Sequence, residues 1–70
     1  MFKAWTEAAG ETWSRHAIPT GYRRGHLYVE VSSSVQLAEL RGFHLEGLRT
    51  RANKVLGDER IKKVVLKLKN

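Results

Sequence analysis

Three histidines, His16, His26 and His44, are the side chains of this sequence whose ordinary titration lies near neutral pH, and no cysteine accompanies them. A metal held on a helix takes ligands at i and i+4, and no two of these histidines are so spaced. His26 and Glu30 share one face of a strand, yet four residues at ~3.3 Å each set them roughly 13 Å apart, too far to share an ion or a proton. Ser32, Ser33 and Ser34 stand outside any G-x-S-x-G setting and read as helix-capping hydroxyls. His16, near the end of a helical stretch, reads as a partner of the helix dipole. Without cysteine, a disulfide scaffold, a thiolate zinc site and a cysteine nucleophile are all excluded. No catalytic residue, metal or cofactor is therefore expected. A small basic nuclease built on two histidines and a lysine is the one enzyme reading that spacing leaves open, and no motif supports it.

The stronger chemical signal is cationic. The chain carries 13 Lys plus Arg against 7 Asp plus Glu, a net charge of +6. Up to residue 48 bases and acids balance, and the whole surplus sits after it. There Arg49, Arg51, Lys54, Arg60, Lys62, Lys63, Lys67 and Lys69 face only Asp58 and Glu59. Such one-sidedness suits a surface that meets phosphate, and it also suits plain solvation of a small domain. At 70 residues a single domain over 1–70 is expected, and 41% hydrophobic residues are enough to fold it. The longest apolar runs, such as Val64-Val65-Leu66, are far too short to cross a bilayer, and no basic segment leads into an apolar run at the start. The expected location is the cytoplasm, on the nucleoid if the partner is DNA.

These groups must be positioned by a few short elements. Phe2, Trp5, Ala9 and Trp13 recur at helical spacing and predict a first helix over about 2–16. Gly10 inside it costs a helix about 1 kcal/mol against Ala, which points to close approach by another element. Pro19 and Gly21 are expected to end the helix. Tyr22-Arg23, the Arg24-Gly25 turn and His26–Val31 then form a hairpin in which Arg23 pairs with His26 and Tyr22 with Leu27. Ser33 with Gln36 three residues later fits a capping box that starts a short helix through about Leu40, and Gly42 is expected to break it. A further helix from about His44 carries the stripe Leu45, Leu48, Ala52, Val55 and Leu56, with Gly57 as its C-terminal cap. From Lys62 a third strand alternates Val64, Leu66 and Leu68 against Lys63, Val65, Lys67 and Lys69. The order helix, strand, strand, helix, helix, strand predicts an α+β domain, a three-stranded sheet with helices on one face.

If the apolar parities face the helices, the open sheet face shows Arg23, His26, Tyr28 and Glu30 beside Lys63, Val65, Lys67 and Lys69. A basic ladder beside an aromatic ring is the chemistry of single-stranded nucleic-acid binding, with amines on phosphates and Tyr28 stacking on a base. Lys62 sits at the head of the ladder, and Arg49, Arg51 and Lys54 are expected to extend the same field along the last helix. The bland alternative is that lysines guard an edge strand and Tyr is simply a good strand residue. Trp5 and Trp13, eight residues apart, read first as core, and as partner-binding anchors if the first helix is imperfectly covered. The leading expectation is thus a non-enzymatic module that holds single- or double-stranded DNA with little sequence preference. The alternative is a protein-interaction module for an acidic partner, and exposed strand edges leave room for a monomer or a weak homodimer.

Trp5, Glu7, Gly10, Arg15-His16 and Pro19, then Arg23, Gly25, Leu27 and Val29-Glu30-Val31, then Glu39-Leu40-Arg41, and finally Leu48, Asn53 and Leu56-Gly57 together resemble the DciA family, in an order that runs from about Trp5 to Leu68. The resemblance implies a bacterial protein that associates with the replicative helicase, helps load it on DNA and has affinity for DNA. It also implies a domain similar to the bacterial variant of the K-homology fold, in which a Gly-x-x-Gly loop between two helices usually grips nucleic acid. The corresponding stretch here, Arg41-Gly42-Phe43-His44-Leu45, holds one glycine. The chain also departs from the family at Gln36, where an aromatic residue is frequent, and at Arg24, where an acidic residue or Asn precedes the glycine.

Overall fold

A computed structural model describes residues 2–69 of the chain. Its elements are α1 (Phe2–Ser14), β1 (Ala17–Arg23), β2 (His26–Val31), α2 (Ser34–Glu39), a π turn (Leu40–His44), α3 (Leu45–Leu56) and β3 (Lys63–Leu68). The strands form one sheet in the order β1-β2-β3, with β1 antiparallel and β3 parallel to β2. This is the expected α+β order, with the helical layer on one face of the sheet.

The hairpin forms as its sequence dictates, Arg23 opposite His26 and Tyr22 opposite Leu27. Parity then sends Leu27, Val29 and Val31 into the core, all at most 1% exposed, joined from β3 by Val64. From the helical side come Trp5, Ala8, Leu40, Leu48 and Ala52, so the core is one apolar layer between sheet and helices. Ser33 caps α2 through its hydroxyl, which accepts from the Gln36 N–H at 3.2 Å, and Gly57 ends α3 with φ 75°. The inward parity of β3 fades at its end, where Leu68 is exposed.

Five expectations need correction. The first helix ends at Ser14, and Gly10 is not there for close packing: an added Cβ would meet nothing within 4 Å. Its φ of 75° with ψ of −177° is a conformation that only glycine holds without strain, and it kinks the helix. Pro19 and Gly21 lie inside β1 rather than before it, because β1 is an edge strand that tolerates a missing N–H, and a bulge lies between them. Gly42 does not break the chain into two separate helices; Leu40 to His44 continue as one wide π turn straight into α3. On α3 the buried set is Leu48, Ala52 and Asn53, while Val55, assigned to the apolar stripe, is exposed.

Asn53 has a particular task. It is 3% exposed, its Oδ1 accepts from the Ile61 N–H at 2.8 Å, and its Nδ2 donates to the Ile61 carbonyl at 2.9 Å. The side-chain amide thus mimics a neighbouring strand for the buried residue that leads into β3. Asn53→Ala is expected to leave the Ile61 N–H buried and unpaired and its carbonyl to Arg49 alone, at a cost of about 1–3 kcal/mol. Urea unfolding measures this, and a loss below about 1 kcal/mol would show that the grip is dispensable.

Candidate nucleic-acid interface

The register of the three strands sets side chains of the open face in rows. One row is Arg23, His26 and Lys63; the next is Gly21, Tyr28 and Val65; the third is Ile18, Glu30 and Lys67. Neighbours within a row are about 5 Å apart at the backbone, so the first row lines up three nitrogen-bearing side chains. At the hairpin tip Arg24 and Gly25 both take positive φ, 50° and 85°, the two-residue turn that matches strand twist. Arg24 holds this left-handed conformation although it is not glycine, at a cost of about 1 kcal/mol.

The tip is bound to the start of β3. The Gly25 carbonyl accepts from the N–H groups of Lys62 and Lys63 at 2.8 and 3.1 Å, and the Lys62 stem lies over the glycine. A Cβ at Gly25 would come within 2.8 Å of Lys62 Cγ, so both conformation and space demand glycine here. On the same side the Tyr22 hydroxyl donates to the Arg60 carbonyl at 2.9 Å. Arg23, Arg24, His26, Lys62 and Lys63 therefore converge at one end of the sheet. Among the described residues none of the four cations of this group, nor Lys67 or Lys69, has a carboxylate within 4 Å. Glu30 stands opposite Lys67 in register without forming an ion pair.

Tyr28 sits in the middle row, 38% exposed, with its ring edge 3.9 Å from the position of a Gly21 Cβ. Lys69 follows β3 and donates its N–H to the Val31 carbonyl at 2.8 Å, which extends the ladder past the strand.

The α3 cations do not continue this surface, because α3 lies in the layer behind the sheet and its exposed side chains face away from the open strands. Arg49 is committed within the fold. Its guanidinium reaches Glu46 at 3.1 Å and donates to the Ile61 carbonyl at 3.0 Å, and the hydrogen bond to Glu46 raises its pKa above the usual value. Arg51 donates to the Ala8 carbonyl at 3.3 Å, just before the Gly10 kink, and Lys54 is exposed farther along α3. Trp5 is fully buried and donates from its indole to the Ala17 carbonyl at 3.0 Å, so it is core; Trp13 is half-buried. Arg24 joins the cluster although sequence reasoning assigned it only to the turn; its neighbour Gly25 is set against Lys62 by contacts across many residues.

Ser32 and His16 approach to 3.2 Å, but the Ser32 hydroxyl donates to Gln36 Oε1 at 2.7 Å. Its proton is thereby directed away from the imidazole, so the pair ties the end of α1 to the start of α2 and does not activate a nucleophile. Among the described residues no three acidic or histidine groups are placed to hold a metal, and no helix is long and apolar enough to cross a membrane. A concavity of about 600 Å³ at the end of α3 is lined by Asn53, whose amide is already engaged, and by Lys54, Asp58 and Glu59.

Fold and surface together define a small basic α+β module that presents cations on a sheet. Residues 1–66 match the family described as Dna[CI] antecedent, DciA, and the chain belongs to that family. Membership gives it a helicase-loader-like role in DNA replication, and the family is not a known enzyme family. No curated protein matches the chain.

Relief of the strain at the hairpin tip is measurable. Arg24→Asn, a residue that tolerates the left-handed region, is expected to stabilise the fold by about 0.5–1 kcal/mol and to raise Tm by a few degrees. An unchanged or lower Tm would mean that Arg24 holds the turn by contacts of its own.

Proposed function

We propose that the chain is a non-enzymatic nucleic-acid-binding module that holds DNA by its phosphates on the open sheet face while it serves helicase loading. The observation that carries this reading is the convergence of Arg23, Arg24, Lys62 and Lys63 at one end of the sheet with no carboxylate partner among the described residues. An unneutralised cluster of this kind gains most from phosphate, whose bound counterions are released on contact. His26, between Arg23 and Lys63, adds a further donor to the row. Tyr28 offers a ring to an unstacked base, and Lys67 and Lys69 carry the strand's backbone onward. Little sequence preference follows, since these groups meet backbone and ring faces rather than base edges.

The contact differs from the usual K-homology grip. Where a Gly-x-x-Gly loop would stand, this chain has a helical π turn with a single glycine, so phosphates are met by side chains of the sheet. In this reading the protein partner is the replicative helicase, and DNA contact keeps the module on the nucleoid.

Anisotropy titrations of single- and double-stranded oligonucleotides at two or more salt concentrations test the reading. Three or four phosphate contacts predict a slope of log affinity against log salt of roughly −2 to −4. Lys63→Glu with Lys67→Glu is expected to reduce affinity more than tenfold, about 1.4 kcal/mol or more, whereas Lys54→Glu, behind the sheet, leaves it nearly unchanged. Affinity indifferent to salt, or equal in the sheet-face variant and the parent chain, would overturn the proposal.

A further inference from the structure

The helical layer carries a second surface, separate from the sheet. Phe43, on the π turn, is 83% exposed, the most exposed of the large hydrophobic side chains. Its ring lies 6.5 Å from that of His44, which in turn lies 5.4 Å from Trp13 at a tilt of 51°. Beside this aromatic run is a groove of about 270 Å³ whose walls include Ala9, Trp13, Phe43, His44, Leu48 and Arg51. Its walls mix aromatic and aliphatic side chains with polar groups, and Arg51 is the one lining side chain with a fixed charge.

Gly47 also borders the groove, and an added Cβ there would touch nothing within 4 Å. Neither space nor backbone conformation demands glycine at this helical position, where Ala would favour the helix by about 1 kcal/mol. Beyond Gly47 a second concavity continues along α3 past Thr50, Arg51 and Lys54. Its one carboxylate, Glu46, is already taken by Arg49 at 3.1 Å. An aromatic-walled hole thus opens onto a strip with two cations, Lys54 and Arg51, the latter with one N–H already given to the Ala8 carbonyl.

We infer that this groove docks an acidic protein segment that inserts one bulky apolar side chain among Phe43, His44 and Trp13 and sets carboxylates against Arg51 and Lys54. A ring left 83% in water gains by burial, and a groove with aromatic walls and a cationic exit is the complement of an amphipathic acidic helix. Nucleic acid fits it less well, since only Arg51 and Lys54 stand here, beside the Glu46 carboxylate, whereas four cations gather at the end of the sheet. A second copy of this chain, with its net +6, brings the wrong charge.

The test is chemical-shift mapping on the full chain with a short synthetic helical peptide that bears leucine on one face and glutamate beside it. Two control peptides replace leucine by alanine and glutamate by glutamine. Shifts are expected at Trp13, Phe43, His44, Gly47 and Arg51, with those of Tyr28, Lys63 and Lys67 unmoved. Loss of the anchor, by Phe43→Ala or by the alanine peptide, is expected to weaken binding about tenfold or more. Gly47→Leu, which plugs the groove without harming the helix, should do the same with Tm unreduced. The variant Lys63→Glu with Lys67→Glu is expected to keep the peptide whatever becomes of its DNA affinity, so the two proposals fail separately. Shifts on the sheet face, equal affinity for all three peptides, oligonucleotide shifts centred on Phe43, or self-association abolished by Phe43→Ala would each overturn the inference.

Discussion

The structure depends on one polar contact inside an apolar layer. The Asn53 side chain pairs with both backbone groups of Ile61, and Ile61 is fully buried. A strand that runs parallel to its neighbour cannot be joined to it by a tight turn, so the chain must cross the helical layer and come back at the right height. Asn53 sets that height from α3, and the Gly25 carbonyl completes the alignment from the hairpin tip by accepting from Lys62 and Lys63. With β3 fixed at these two points, its register brings Lys63 beside His26 and Arg23. The cationic row is therefore a product of a buried amide on the far side of the sheet.

A small chain must use most of its polar groups twice, for fold and for surface. Arg49 and Arg51 show the first use. One ties Glu46 and Glu59 to the Ile61 carbonyl, and the other reaches a carbonyl at the bend in α1, where Gly10 interrupts the helix. Arg23, Arg24, Lys62 and Lys63 show the second, with backbones held by the hairpin and side chains left without acidic partners among the described residues. Net charge does not separate the two kinds of cation, because it counts a structural guanidinium and a free one alike. Both outer strands are also guarded against pairing with other chains, β1 by Pro19 and its bulge and β3 by lysines.

Membership of the DciA family joins this architecture to helicase loading. A module with cations on its sheet and an aromatic groove on its helices has two surfaces that face apart, so the proposed DNA contact and the proposed protein contact need not compete. The π turn is what permits the second of them. It turns Phe43 outward next to His44.

Much was legible along the chain itself. The hairpin register, the inward parity of Leu27, Val29, Val31 and Val64, the Ser33 cap and the Gly57 stop all follow from forces acting between residues a few positions apart, so their neighbours in sequence suffice to set them. The same locality explains where sequence reasoning fell short. Gly10 and Gly42 look alike in sequence, yet one kinks a helix and the other lies within a continuous helical path, because packing of α1 on α3 and of α2 beneath the sheet decides which bend is kept. That Trp5 is spent on the Ala17 carbonyl, that Arg49 belongs to the core's edge, and that α3 carries its charges behind the sheet are consequences of how distant segments were brought together. Residue types and spacing determined which groups exist and which way they point along each element; only the tertiary arrangement decided which of them share a surface, since that is set by contacts between residues far apart in the chain.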